Sequence, residues 1–243
     1  MSIVMLSRDA ESGVSRLTLN RAEKANALND AMVDALLDAL AAVQQDGTRL
    51  LVIDADGRHF CAGFDLSDLD DVSDGDLVLR FVRIETLLQT LYHLPIPTLA
   101  LAKGRAMGAG ADLFCACNQR IAAPETKFRM PGLAFGIVLG TRRLVARIGP
   151  DAARRIQAET STFDAAAARD LGFATDVAPE DDWPARVDAA AAAAGALDIT
   201  AVNALFRVTV EDTRAPDMAD LVASASRPGL KARIQTYRDA MAR

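Results

Sequence analysis

Along the first half of the chain, short apolar runs take turns with amphipathic stretches. Val14–Leu19 (VSRLTL) alternates and is rich in β-formers, which predicts a strand. Leu28–Val43 carries apolar residues at Met32, Leu36, Leu37 and Leu40, the spacing of one helix face. Asn29 is placed to cap that helix and Gly47 to stop it. Arg49–Ile53 (RLLVI) is an apolar run of the kind found in strands buried on both faces. Leu77–Leu91 predicts an amphipathic helix ending before Pro95, Thr98–Ala102 a second buried strand, Leu113–Asn118 a helix and Arg120–Ala123 a strand. Such alternation implies right-handed crossover units and an α/β layered core. Beyond about Ala152 the strand signal fades. Ser161–Asp164 opens a helix that Gly172 ends, and Asp181–Ala194, Thr200–Glu211, Asp217–Ala225 and Leu230–Ala242 read as further helices. The expectation is an α/β core over residues 1–185 and a helical C-terminal region over 186–243.

Composition narrows the classes. The 243 residues suffice for one large domain, and half of them are apolar with a quarter charged, as in globular proteins generally. A formal net charge of −6 argues against a nucleic-acid binder or a binder of anionic membranes. Cys61, Cys115 and Cys117 form no disulfide framework, which points to a reducing compartment. The start MSIVMLSRDA lacks a basic-then-apolar leader, and the tract Ala189–Ala194 is too short to span a bilayer. A cytoplasmic protein is expected. The two histidines, His59 and His93, suggest neither a metal cluster nor a catalytic triad.

Two loops carry candidate chemistry. HFCAGFDL (His59–Leu66) follows the strand RLLVI, and GRAMGAGADL (Gly104–Leu113) follows TLALA. Ligands in α/β sheets sit at such strand ends, small residues let a backbone approach them, and first-turn helix amides have no internal partner. Two such amides, one from each loop, suit an oxygen that gains negative charge. The glycine spacing in GAGADL does not match a dinucleotide fingerprint, and no strand-end acid stands about 20 residues on.

The segments LTLNRAEKANALN (Leu17–Asn29), HFCAGFDL and GRAMGAGADL, in that order, resemble the enoyl-CoA hydratase/isomerase family, the crotonase superfamily. The resemblance continues through KFRMPGLAFG (Lys127–Gly136), TRRL (Thr141–Leu144) and AAARDLGFATDV (Ala166–Val177), and thins in the C-terminal helices. It implies an α/β crotonase-like fold of repeated ββα units with a helical trimerisation region, and a homotrimer or hexamer. It implies a coenzyme A thioester as substrate and no permanently bound cofactor. Carried over residue by residue, the amides of Ala62 and Ala109 would hold the thioester oxygen as it becomes an enolate, and Asp112 would be the motif-matched acid/base. Lys24, Ala25, Gly63, Phe64, Asp65, Gly108 and Gly132 would line the substrate path, with Lys24 or Arg58 near the phosphates.

The chain departs from the family pattern at the chemistry itself. Hydratases of the family use two glutamates. Asp112 stands at the first position, one methylene short, and Gly132 at the second. Loss of one general acid–base group typically costs about 10²- to 10⁴-fold. Arg129, Thr141, Arg142 and Arg143 flank the gap, and an arginine there is suited to a substrate carboxylate rather than to proton transfer. Glu85, on the helix before PIPTLALA, is expected at the surface, with a position aimed at the pocket as the alternative. Ile137, Val138 and Leu139 either wall the cavity or belong to the core. The expected activity is that of a hydratase/isomerase-type enzyme. Decarboxylation, thioester hydrolysis and acyl-CoA binding with little catalysis are the alternatives.

Overall fold

The continuously apolar runs become the centre of the main sheet. The computed structural model describes residues 2–241. In chain order it contains β1 (Val4–Asp9), β2 (Val14–Leu19), α1 (Asp30–Val43), β3 (Leu50–Ala55), α2 (Asp74–Tyr92), β4 (Thr98–Ala102), β5 (Arg105–Met107), α3 (Ala109–Ala116) and β6 (Gln119–Ala122). Then follow β7 (Lys127–Arg129), α4 (Thr141–Ile148), α5 (Pro150–Glu159), β8 (Phe163–Asp164), α6 (Ala165–Asp170) and β9 (Asp176–Val177). Four helices close the chain: α7 (Trp183–Gly195), α8 (Ile199–Thr209), α9 (Arg214–Ala225) and α10 (Leu230–Met241). The main sheet has the order β1-β2-β3-β4-β6-β9, and β5-β7-β8 form a small second sheet. Within the main sheet β1 and β2 pair antiparallel and the other pairs are parallel.

Period two along β3 explains why both faces need cover. Leu51 and Ile53 meet Met32, Leu36 and Leu40 of α1 and Ile84 and Leu88 of α2. Leu50 and Val52 face the other way, with Leu99 and Leu101 of β4, and are covered by Trp183, Val187 and Ala190 of α7. A third cluster joins Leu77 and Phe81 of α2, Ile137, Leu221 of α9, and Leu230 and Ile234 of α10. Helices α7, α9 and α10 thus pack on the elements that precede them. The expected boundary between residues 185 and 186 falls inside α7, which is part of the cover of the main sheet.

Several elements differ from the sequence reading for local reasons. Strand β1 is an edge with no clean alternation, and Met5 and Leu6 remain exposed. Helix α3 starts at Ala109, because Gly108 (φ 51°) turns the chain out of β5 there. Asp164, rather than the hydroxyls before it, caps α6, its carboxylate accepting the Ala167 N–H at 2.9 Å. Helices α4 and α5 were not anticipated; Gly149 separates them and Pro150 opens the second. The expected last helix runs to Ala242, which lies outside the described residues; α10 reaches Met241. No single helix among the described residues is long and apolar enough to cross a membrane.

Candidate active site

Glycines press the two small-residue loops together. Cys61 and Ala106 form a parallel bridge, through Cys61 N–H to the Arg105 carbonyl (3.1 Å) and Met107 N–H to the Cys61 carbonyl (2.9 Å). Beside it Gly63 (φ +86°) lies so close that a Cβ there would stand 2.3 Å from the Met107 carbonyl oxygen and 3.3 Å from the Ala109 nitrogen. A Cβ at Gly110 would stand 2.4 Å from the Cys61 carbonyl oxygen. Side chains at either place would drive the loops apart. The peptide that carries the Phe64 N–H therefore adjoins the Ala109 amide.

This packing corrects one sequence expectation. The Ala62 N–H is not free: it donates to the Ala25 carbonyl at 2.9 Å. The Phe64 N–H and the Ala109 N–H have no acceptor among the described residues, and both residues line the same cavity. The cause lies in a distant turn. Ala25 (φ 50°) and Asn26 (φ 55°) are consecutive residues in the left-handed region, a strained arrangement for residues with a Cβ. Asn26 holds it in place. Its Oδ1 accepts the Arg21 N–H (2.8 Å), and its Nδ2 donates to the carbonyls of Asp56 (3.0 Å) and His59 (2.9 Å). The Cys61 thiol donates to the Asn26 carbonyl (3.0 Å), and burial pushes that thiol up to about 12, so it is a structural group and not a nucleophile.

Asp112 sits in the first turn of α3, buried, with its carboxyl group at the cavity. No hydrogen-bond donor among the described residues reaches that carboxyl group. Burial pushes it up to about 8; Arg143 opposes the shift and Glu85 reinforces it. At neutral pH the group is mostly a neutral acid. Gly140 (φ +67°) packs on it, and a Cβ there would stand 2.0 Å from Asp112 Oδ1. Gly140, just before TRRL, thus supports the Asp112 carboxyl group with its own backbone.

Behind Asp112 lies a buried charge network. Glu85, expected at the surface, is 1% exposed, and Arg143 is 2% exposed. Arg143 Nη1 and Nη2 donate to the two Glu85 carboxylate oxygens at 2.7 and 2.6 Å, a bidentate pair. Asp217 stands 3.7 Å from Arg143 Nη1 and accepts from Arg142 Nη1 (3.0 Å). Burial works against the Arg143 charge, yet the Glu85 carboxylate more than offsets it and holds the guanidinium above its usual value. Arg143 Nε is buried without a partner among the described residues. The arginines flanking the gap are thus engaged elsewhere: Arg143 by Glu85, Arg142 by Asp217 and Asp220, and Arg129 Nε by the Thr160 carbonyl (2.6 Å). None of them lines the cavity.

The cavity itself encloses about 120 Å³. Ala62, Phe64, Gly108, Ala109, Asp112 and Gly132 line it, together with Ile137 and Leu139, whereas Val138 points its amide to Ser224 Oγ (3.0 Å). Asp65 does not line it. Its carboxylate bonds Arg21 and the Ser67 N–H; burial acts to raise its pKa, but those bonds prevail and hold it below the usual carboxylate range. Ala25 contributes its carbonyl to Ala62 and lies outside the cavity lining, as do Gly63 and the exposed Lys24. Gly132 opens a tight turn in which Ile137 N–H returns to the Gly132 carbonyl (2.9 Å). A Cβ at 132 would meet the Ile137 carbonyl oxygen at 3.0 Å, so the short connection to TRRL crowds a side chain at this position.

The Ala109 N–H at the start of α3 and the Phe64 N–H in the facing loop, both without an acceptor among the described residues, thus stand at one cavity with a buried acid. Comparison with known proteins shows the family. The sequence profile of the enoyl-CoA hydratase/isomerase family matches residues 9–219, and the chain belongs to this family. A candidate enoyl-CoA hydratase/isomerase from Bordetella parapertussis superposes with a TM-score of 0.95 at 47% identity, covering 98% of each chain. An enoyl-CoA isomerase/hydratase of Mycosarcoma maydis is 33% identical over 69% of this chain, a match that spans 66% of that relative's length. The 2,3-dehydroadipyl-CoA hydratase of Escherichia coli K12 is 32% identical over 74% of this chain and 71% of its own. The fold is the crotonase-like fold of these proteins.

Proposed function

We propose that the chain is an acyl-CoA thioester enzyme of the hydratase/isomerase type that receives the thioester oxygen between the Phe64 and Ala109 amides, and that shifts a double bond with Asp112 as its one proton carrier. The observation that carries this reading is the solitary carboxyl group. Hydration needs two proton-handling groups, and Gly132 has no side chain to be the second. A double-bond shift needs one. The Asp112 carboxylate removes a proton from the α-carbon of a β,γ-enoyl thioester, and the electron pair moves onto the thioester oxygen as a dienolate. The two N–H groups stabilise that oxygen. The Asp112 acid then returns the proton to the γ-carbon, and the α,β-enoyl thioester is formed. A group that both takes and returns a proton works best with a pKa near the operating pH, and Asp112 is held at about 8.

Lys24 and Arg58, both exposed, are assigned to the coenzyme A phosphates. The exposed apolar side chains of α8, Leu205 and Val208, support assembly into a homotrimer or hexamer. The test is turnover. 3-Hexenoyl-CoA and crotonyl-CoA are offered separately and the conjugated thioester absorbance is followed. Conjugation of the first at a rate well above hydration of the second is the expected result. Rapid hydration without isomerisation overturns the reading. Binding of both without conversion leaves an acyl-CoA-binding protein.

A further inference from the structure

The acyl end of the cavity is built differently from its amide end. Phe64 stacks on Phe81 with ring centroids 4.6 Å apart and planes 19° from parallel. Phe81 faces Phe135 at 6.5 Å and 29°, and Phe135 meets Tyr237 of α10 at 5.2 Å and 54°. All four rings line the cavity. The chain holds nine Phe, two Tyr and one Trp, so a third of its aromatic side chains stand around this one space. Phe64, Phe135 and Tyr237 are only half-buried, so they keep ring surface free although Phe64 and Phe135 stand against the third core cluster. The remaining wall is Leu66, Leu133, Ile137, Leu139 and Ile234.

Polar groups are few there. Of the lining side chains only Asp112, Gln157 and Tyr237 carry one, and Gln157 is paired with Thr141 at 3.2 Å. Among the described residues no Lys, Arg or His lines the space. The Arg129 guanidinium stands 5.9 Å from the Tyr237 ring centroid and is not part of the lining. A carboxylate at the far end of an acyl chain would lie in this space without a counter-charge and with Asp112 as a neighbour.

We propose that the acyl group taken by this site is uncharged and carries one ring, an aryl-acyl thioester, held against the wall of Phe64, Phe81, Phe135 and Tyr237. The size is close: an apolar cavity of about 150 Å³ accepts benzene, and this one has about 120 Å³, with Phe64 and Ala109 in its lining. The position agrees as well. Phe64 supplies both the first ring of the wall and one of the two amides, so the chain leaving the thioester carbonyl meets that ring next. Offset and edge contacts between rings add to plain apolar burial, which is why a ring gains more here than an alkyl chain of equal area. This inference rests on the acyl-CoA reading of the site.

The test is calorimetric titration of the native chain with four saturated, unreactive ligands and free CoA. Phenylacetyl-CoA is expected to bind about tenfold more tightly than butyryl-CoA, and adipyl-CoA at least about tenfold more weakly than hexanoyl-CoA of the same chain length. Phe135→Leu and Tyr237→Leu, tested separately so that one folding failure does not end the experiment, each narrow the gap between phenylacetyl-CoA and butyryl-CoA. Adipyl-CoA binding as well as hexanoyl-CoA, or butyryl-CoA as well as phenylacetyl-CoA, overturns the aryl assignment and leaves the thioester site standing. If no thioester binds better than free CoA, the thioester reading itself falls.

Discussion

Asp112→Asn loses isomerisation by about 10²- to 10⁴-fold and melts several degrees higher than the native chain. Both effects come from one fact, a carboxyl group buried without a hydrogen-bond donor. The amide keeps the shape and neither takes nor returns a proton. The stability gain has a definite pH window. The folded-state value is about 8 against an ordinary 3.8. Between these values the folded chain keeps a proton that the unfolded chain releases, so native stability falls as pH rises through the window. The advantage of the Asn variant therefore grows from about pH 4 to about pH 8 and levels off above it. Melting curves of both proteins at pH 5, 7 and 8.5 check this, and a constant difference contradicts the burial of an unpaired acid. Native kcat/KM for isomerisation rises with pH toward the same value, because the carboxylate is the form that starts the reaction.

Glu85→Gln is expected to cost about 3–5 kcal/mol of stability, the usual consequence of removing one partner from a buried ion pair. The geometry is bidentate, both partners are almost wholly buried, and Arg143 Nε already lacks an acceptor. Asp217 at 3.7 Å is the carboxylate left to compensate. The same substitution reaches the chemistry. Burial and Glu85 raise the Asp112 pKa and Arg143 lowers it, so removal of the Glu85 charge leaves burial alone to oppose Arg143. The midpoint of the pH–rate profile moves to lower pH. Urea unfolding measures the first effect and the profile the second. A variant that is less stable with an unmoved midpoint would reduce Glu85 to a purely structural residue.

The sequence carried the scaffold well and the atoms of the site less well. RLLVI and TLALA read correctly as strands buried on both faces, because burial on both faces leaves no room for alternation in composition. The two small-residue loops were legible as a pair that meets at strand ends. Which amide stays free was not legible. It depends on the Ala25 carbonyl reaching Ala62, and that depends on a left-handed turn fixed by Asn26, far away along the chain. The resemblance was carried onto Ala62, whose N–H the structure pairs with the Ala25 carbonyl. Glu85 was misjudged for a related reason. An acid on an amphipathic helix belongs at the surface unless a cation is brought to it, and Arg143 arrives from α4, a helix the sequence did not announce. The absence of a side chain at Gly132 was visible from the start, while its crowding by the Ile137 carbonyl was not.

The central claim is that the Phe64 and Ala109 amides polarise a thioester carbonyl. The direct measurement is the carbon-13 resonance of butyryl-CoA labelled at the thioester carbonyl, recorded free and bound to the native chain. A downfield displacement on binding, retained in Asp112→Asn, is the predicted result. A bound carbonyl that resonates where the free one does would contradict the account.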